Sequence, residues 1–378
     1  MRIGVDGGCW SNRRGFGRYL REILAALGRV DRDNEYLVFL DPAAYETFAV
    51  SGPFRPIRVE VSAPIAQAAS WEGRRSMRDM LRMGLAVRRQ AVDLFFFPTS
   101  YSYFPVLSRV PVLVCFHDTI PESDPKFHFR SWREMLSWRI KTYLAVAQAG
   151  LVLTVSDYSR RCLIEKLKVD PTRVRVVPEA ASPVFRRLEV PRPGNPYLLY
   201  VGGFNPHKNV GALLNAFGRL ATRWPELRLV LAGDFRSDSF RGTAGALEAR
   251  ARDLGLAGRV EFTGWVPDEE LCRLYNGATL VVLPSLEEGF GLPALEAMAC
   301  GAPVIASAGH AFDEVVADAG VLVDARNEAV LAAAIESLLA DPQRRRTLSE
   351  KALARASGFS WDATARRLLR TFEEAGRY

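Results

Sequence analysis

The sequence predicts an α/β protein built from two doubly wound, parallel-sheet domains. Two series of short apolar runs alternate with segments of helical periodicity, the pattern of parallel strands joined by crossover helices. A proline-dense stretch separates the series, with prolines at 178, 183, 191, 193 and 196 interrupting any regular element. At 378 residues the chain is long for one core and comfortable for two. The expected division is residues 1–185, a linker at 186–196, and residues 197–360.

The chain opens with Met1-Arg2-Ile3-Gly4-Val5, which reads as a buried strand. Asp6-Gly7-Gly8 and Gly15-Phe16-Gly17 then form a glycine-rich turn into a helix marked by Leu20, Ile23, Leu24 and Leu27. That helix N-terminus points toward an anion site, although the glycine spacing is not the dinucleotide GxGxxG fingerprint. Further strands are expected at 36–40, 57–61, 94–98, 112–116 and 151–155. In such a sheet, functional groups lie at the strands' carboxyl ends. Those ends carry Pro98-Thr99-Ser100, His117-Asp118 and Ser156-Asp157. His117 directly follows an apolar strand, which favours a functional reading over a structural one. Asp118 stays open between ligand contact and a turn or helix cap.

Residues 70–90 place Trp71, Met77, Met80, Leu81, Leu85 and Val87 on one broad helical face, with Arg74, Arg75, Arg78, Arg82, Arg88 and Arg89 around the rest. This is either a domain helix with solvated arginines or a basic amphipathic helix on an anionic lipid surface. Residues 127–141 form a second basic-aromatic stretch, including Phe127, His128, Arg130, Trp132, Arg133, Trp138, Arg139 and Lys141. It keeps peripheral membrane contact open as an expectation.

The second series begins with a strand at 198–201, followed by Gly202-Gly203-Phe204-Asn205-Pro206-His207-Lys208-Asn209 and a helix carrying Val210, Leu213, Leu214 and Phe217. A lysine at a helix start opposes the dipole, so Lys208 makes sense beside a diphosphate; otherwise it is a solvated loop lysine. Strands follow at 229–232, 260–266, 280–283, 304–306 and 321–323, and helices at 328–339, 343–357 and 361–374. The last helix carries an apolar stripe (Trp361, Ala365, Leu368, Leu369, Phe372) that needs a partner surface.

Residues 283–301, LPSLEEGFGLPALEAMACG, run from a strand through a Pro-Ser turn and a Gly-Phe-Gly loop into a helix starting near Pro293. Gly289 and Gly291 permit close backbone approach, and Glu288 and Glu296 stand eight apart across the loop and helix start. The arrangement suits a phosphate flanked by polyhydroxy groups. The plain alternative is a generic strand-loop-helix unit with two solvated glutamates. EGFGLPALEA, however, resembles the Glu-x7-Glu segment of retaining nucleotide-sugar glycosyltransferases of the group-4 type. VGGFNPHKN resembles that family's glycine-to-lysine phosphate motif, with Gly203 where many members carry arginine, and HDTIP resembles its His-Asp segment.

The resemblance covers nearly the whole chain and implies the GT-B fold, two Rossmann-like domains facing each other across a cleft. It implies that the last helix, about 361–378, packs back on the first domain, which would be the acceptor side. Lys208 would neutralise the donor diphosphate, Glu288 hold the donor sugar's hydroxyls and Glu296 those of the ribose. Gly203, Asn205, Gly289, Phe290, Gly291 and Leu292 would line the donor, and backbone groups near Val266 the base. Gly15 and Gly17 would lie near the donor phosphates and the acceptor hydroxyl, His117 near the donor sugar, and Ser156 near phosphate or acceptor. His117, Lys208 and Glu288 form the expected catalytic set. The implied activity is retaining transfer of a hexose, first mannose from GDP-mannose, to a hydroxyl of a saccharide acceptor, including a lipid-linked one, in cell-surface polysaccharide or glycoconjugate synthesis. No metal and no other cofactor is expected, since Asp31-Arg32-Asp33 is read as a surface turn between helix and strand. Competing readings are a nucleotide-sugar hydrolase or epimerase, a natural-product glycosyltransferase using a UDP- or dTDP-sugar, and a binding protein with a degenerate site.

Composition describes a soluble globular protein: 48% hydrophobic and 25% charged residues, no membrane-spanning run and no leader-like apolar segment at the start. A cytoplasmic location is expected, with peripheral attachment to the inner membrane face as a variant. Five scattered cysteines without a CxxC pair suggest reduced, packed thiols. The net charge of +7 favours anionic partners. A nucleic-acid partner is not expected, because the arginines at 74–89 are not interleaved with stacking aromatics.

Overall fold

The computed structural model describes residues 1–13, 15–68, 76–125, 129, 131–189, 194–234 and 241–377. Trp71, Arg74 and Arg75, Phe127, His128 and Arg130, and Pro191 and Pro193 lie outside the described residues. Two compact units emerge: Met1–Glu179 with Ser360–Tyr378, and Ala180–Phe359.

The first unit contains, among the described residues, a seven-stranded sheet: β1 (Arg2–Asp6), β2 (Glu35–Leu40), β3 (Phe54–Arg58), β4 (Leu94–Phe97), β5 (Val112–Phe116), β6 (Leu151–Thr154) and β7 (Val174–Val176). Every paired neighbour is parallel, in the order β3-β2-β1-β4-β5-β6-β7. The near-continuous apolar character of β4, LFFF, and β5, VLVCF, follows from helices covering both faces of a parallel sheet. Phe95, Phe97 and Phe104 form a mutual edge-to-face cluster at the core, with ring centroids 4.8–5.6 Å apart. Two details differ from the sequence expectation. The third strand is Phe54–Arg58 rather than 57–61, because it pairs Tyr36 with Phe54 at the sheet edge, where Pro56 and its missing N–H are tolerated. The short β7 was not expected; three residues carry too little periodicity to be read.

The last helix, Trp361–Ala375, belongs to the first unit. Ser360 caps it by accepting from Ala363 N at 3.2 Å. Trp361 lies edge-on to Tyr19 at 5.7 Å and Phe372 edge-on to Phe96 at 5.5 Å. Ion pairs Arg29–Asp362 and Arg175–Glu374 close its rim.

The second unit holds β8 (Tyr197–Val201), β9 (Arg228–Ala232), β10 (Val260–Gly264), β11 (Leu280–Leu283), β12 (Val304–Ser307) and β13 (Val321–Val323), all parallel, in the order β10-β9-β8-β11-β12-β13. The chain leaves the first unit at Glu179, ahead of most of the proline-dense segment. Residues beyond that point pack into the second unit: Phe185 lies edge-on to Tyr275 at 5.8 Å, and the Arg186 carbonyl accepts from Asn276 Nδ2 at 2.9 Å. All five cysteines are free and buried.

Both sheets are doubly wound. The strand order reverses between β1 and β4 in one and between β8 and β11 in the other. Loops leaving the carboxyl ends of such a pair diverge and leave a crevice, the usual place for a ligand in this architecture.

Candidate active site

In the second unit the crevice lies where β8 and β11 end. Pro206–Lys208 forms a tight 3-10 turn after β8, and Asn209 adopts a left-handed conformation (φ +55°) before the helix Val210–Leu220. This turn is stitched to the loop after β11. Leu286 N donates to the His207 carbonyl at 2.7 Å, and Asn209 Nδ2 donates to the carbonyls of Pro284 and Ala325 at 3.2 and 3.0 Å.

The stitching brings Lys208 Nζ to 2.6 Å from Glu288 Oε1, which also accepts from Ser285 Oγ at 2.7 Å. The two side chains are only 20% and 12% exposed, so the pair is largely desolvated. Burial opposes the Glu288 charge, but the Lys208 ammonium, His207 and the Ser285 hydroxyl outweigh it and hold the carboxyl below its ordinary range. One ammonium hydrogen satisfies Glu288; the group carries three.

Glu288 leads into Gly289-Phe290-Gly291 and the helix Leu292–Ala299. Gly291 is its N-cap at φ +96°, and an added Cβ would lie 2.3 Å from the Phe312 ring, so only glycine fits. The Phe290 ring is buried against Phe359, leaving its backbone to line the loop. Leu292 opens the helix and is buried. Glu296 lies in the second turn, 1% exposed, and accepts from Tyr275 OH at 3.1 Å. Behind the loop, the Ser285 carbonyl accepts from Ser307 Oγ and from His310 Nε2 at 3.0 Å. That contact requires the proton on Nε2. Burial holds the His310 pKa below its ordinary value, so the ring is neutral. Gly203, whose carbonyl accepts from Tyr200 OH, and Asn205, the residue before the Pro206–Lys208 turn, lie on the β8 side. Val266 is half-buried after β10.

In the first unit His117 follows β5 and leans toward the end of β4. Its Nε2 lies 2.8 Å from the Pro98 carbonyl and its Nδ1 2.8 Å from Glu179 Oε1. A carbonyl only accepts, so Nε2 carries a hydrogen, and a second proton lies between Nδ1 and the carboxylate. Burial would lower the His117 pKa, but contacts with Cys115 and Glu179 raise it well above its ordinary value, giving an imidazolium paired with a carboxylate. Both ring nitrogens are therefore engaged inside the protein. Tyr19 packs edge-on at 4.7 Å and Phe16 at 5.1 Å, which seats the Gly15–Gly17 turn beside the ring. Gly15 is exposed at the helix start, with open space where a Cβ would project. At Gly17 a Cβ would lie 1.8 Å from the Asn12 carbonyl oxygen, so that glycine serves packing. Ser156 is the N-cap of the helix Asp157–Leu167, accepting from Ser159 N at 3.0 Å. Asp118 Oδ1 caps its own turn through Ile120 N at 3.1 Å. Asp31 is buried, not a surface group: it accepts from Asp33 N, Asn34 Nδ2 and Tyr36 OH.

The fold thus joins Lys208 to Glu288 directly and adds groups that sequence reasoning missed. Ser285 had a local signal, its place in the Pro-Ser turn three residues before Glu288. Glu179, Tyr275, Ser307 and His310 had none, since their partners lie in other elements.

Residues 13–183 match the family model described as Glycosyltransferase Family 4, and residues 184–355 the model described as Glycosyl transferases group 1. O-antigen chain mannosyltransferase B of Escherichia coli is 34% identical over 268 residues, covering 65% of this chain and 66% of that protein. D-inositol 3-phosphate glycosyltransferase of Frankia alni is 38% identical over 246 residues, covering 60% and 58%. The chain thus spans just under two thirds, or less, of the length of these relatives. Among solved structures, a sucrose-phosphate synthase from Thermosynechococcus elongatus superposes with a TM-score of 0.81 at 23% identity, covering 99% of this chain and 98% of that one. Anabaena HepE in complex with UDP and glucose gives 0.75 at 21% identity, covering 98% and 99%. These likenesses establish a common GT-B fold. With both halves matched and the architecture shared, the chain belongs to the group 1/family 4 glycosyltransferases.

Proposed function

We propose that this protein transfers a hexose from a nucleoside diphosphate sugar to a hydroxyl of a saccharide acceptor with retention of anomeric configuration, in cell-surface polysaccharide or glycoconjugate synthesis. The observation that carries the reading is the Lys208–Glu288–Ser285 constellation at the switch point of the second sheet. An ammonium with hydrogens left for phosphate oxygens, set beside a carboxylate that can grip sugar hydroxyls, is what a sugar diphosphate requires.

In this reading the diphosphate lies against Lys208, the backbone of Gly203 and Asn205, and the amides of Gly289, Phe290 and Gly291 at the helix start by Leu292. Glu288 accepts from hydroxyls of the donor sugar, Glu296 from those of the ribose, and backbone near Val266 meets the base. The bond between the anomeric carbon and the phosphate oxygen breaks as an acceptor oxygen bonds to that carbon on the same face. The acceptor proton passes to the departing phosphate oxygen. Lys208 stabilises the charge that grows on the diphosphate, and no metal ion is assigned a part. With both its nitrogens engaged by Pro98 and Glu179, His117 acts as a positioning residue at the end of β5, holding the Gly15–Gly17 turn beside it; Ser156 remains a candidate contact for phosphate or acceptor.

The first candidate donor is GDP-mannose, supported by the relative named as a mannosyltransferase. A UDP-sugar is the competing donor, supported by the HepE complex with UDP and glucose. Calorimetric titration with GDP, UDP, dTDP and ADP decides between them. Release of nucleoside diphosphate that accelerates on adding a saccharide acceptor supports transfer; the same release without acceptor would make the protein a nucleotide-sugar hydrolase.

A further inference from the structure

Of the thirteen large apolar side chains exposed among the described residues, nine belong to two helices of the first unit and the loop between them. On Met77–Arg89 the buried side is Asp79, Met83, Gly84 and Val87, while Met77, Leu81 and Leu85, spaced by four, face solvent, Met77 at 68% exposure. On Trp132–Gln148 only Trp138, Thr142 and Ala145 are buried. Trp132, Leu136, Ile140, Tyr143 and Leu144 run down the opposite side, with Trp132 at 65% and Tyr143 at 72%. A helix that buries one narrow stripe and presents a second, apolar one has a face the fold itself does not use.

The two faces are physically linked. Gly84 sits so close to the Pro105 carbonyl that a Cβ would be 2.4 Å from it, and Leu107, itself exposed, abuts the same glycine. On the other side Gln148 donates to Val106 O at 2.8 Å and accepts from Val106 N at 3.0 Å. The loop therefore packs against both helices, at Gly84 of one and Gln148 of the other.

Charge decides what covers it. The two helices carry Arg78, Arg82, Arg88, Arg89, Arg133, Arg139 and Lys141 against only Asp79 and Glu134, and Asp79 is buried in bonds to Ser62 and Arg82. A second copy docking by a twofold axis would set these cations against one another. Beside the second helix, a groove of about 770 Å³ lined by Phe129, Trp138 and Tyr143 adds Lys166, Lys168 and Arg173 against one carboxyl, Glu122, which accepts from Trp138 Nε1. Apolar side chains to insert, rimmed by guanidinium and ammonium groups, match the acyl boundary and phosphates of an anionic bilayer. Neither helix is long and apolar enough to cross a membrane, so a bilayer met by this face would be met along its surface.

We propose that the first unit docks on anionic phospholipid through this two-helix face, inserting Trp132, Ile140, Tyr143, Leu81 and Leu85 while the arginines meet phosphate. Docking of this kind suits a lipid-linked acceptor but does not depend on the donor reading, because the surface lies on other elements.

The test is sedimentation of the full-length protein with vesicles of phosphatidylcholine alone or with about 30% phosphatidylglycerol. Binding to the anionic vesicles only is expected, falling about tenfold as salt rises from about 0.1 to about 0.5 M. A Trp132→Ser, Ile140→Ser, Tyr143→Ser variant should bind about tenfold more weakly, with an unchanged thermal midpoint and unchanged nucleotide titration. No binding to anionic vesicles, or equal binding by the variant, overturns the proposal. So does a concentration-dependent dimer of the unmodified protein that the variant abolishes, which would assign the face to a second copy. Failure of nucleotide titration alone would overturn the donor reading and leave this one standing.

Discussion

Replacing Lys208 with alanine removes the only cation within hydrogen-bonding reach of Glu288 among the described contacts, and its two consequences can be sized separately. In the free protein a largely buried carboxylate keeps the electrostatic influence of His207 and the hydrogen bond from the Ser285 hydroxyl. Breaking a fully buried pair costs about 3–5 kcal/mol, and the residual exposure of both side chains brings the expected loss to about 2–3 kcal/mol. In the complex, an ammonium about 4 Å from a phosphate charge is worth about 4 kcal/mol at an effective dielectric near 20, and solvent access lowers this to about 2–3 kcal/mol. The dissociation constant of the nucleoside diphosphate should therefore rise about 30- to 150-fold. Glu288→Gln is the control of opposite sign. It keeps an acceptor for Ser285 and releases Lys208, so nucleoside diphosphate should bind as well or better while transfer falls about 100-fold or more. Isothermal titration of both variants, with urea unfolding to confirm the fold, measures the two effects. A Lys208→Ala protein that binds the diphosphate within about threefold of the unmodified enzyme would refute the electrostatic role.

Three further outcomes rest on the same kinds of contact. Because the Glu288 carboxyl lies below its ordinary range in the fold, its pairing stabilises the protein above the unfolded value of about 4.3 and the benefit disappears as pH falls through the lower folded value. Thermal midpoints of the unmodified protein and Glu288→Gln should converge in acid, and a gap that persists there would contradict the pairing. The His117 pKa is raised, so its contribution is complete below about pH 6.5 and fades as pH climbs through the folded value. Glu179→Gln should cost about 3 kcal/mol near pH 6, with the gap narrowing in alkaline buffer; a pH-independent gap would mean the ring is neutral. Gly291→Ala forces a left-handed alanine into the Phe312 ring and should destabilise by about 2–4 kcal/mol in urea unfolding, whereas Gly15→Ala, with open space around it, should stay within about 1 kcal/mol.

Local chemistry in the sequence determined most of the element list and the motif loops. The second-sheet strands at 198–201 and 280–283, and the Gly-Lys and Glu-x7-Glu loops after them, were legible because strand periodicity, glycine turns and helix starts are short-range properties. What tertiary structure decided lies between elements. Lys208 and Glu288 are 80 residues apart and His117 and Glu179 are 62 apart, and no periodicity links such positions. Lys208 and Glu288 meet because β8 and β11, adjacent at a switch point, deliver their following loops to the same end of a sheet, and His117 and Glu179 meet across β6 because the parallel strands β5 and β7 end on the same side of the first sheet. The helices Met77–Arg89 and Trp132–Gln148 show the same limit from the other side. Their apolar residues are visible in sequence, but which of them the fold covers is set by packing: Met83, Val87 and Ala145 join the core of the first unit and Trp138 lies on Tyr101, while Met77, Leu81, Leu85 and Trp132 face solvent.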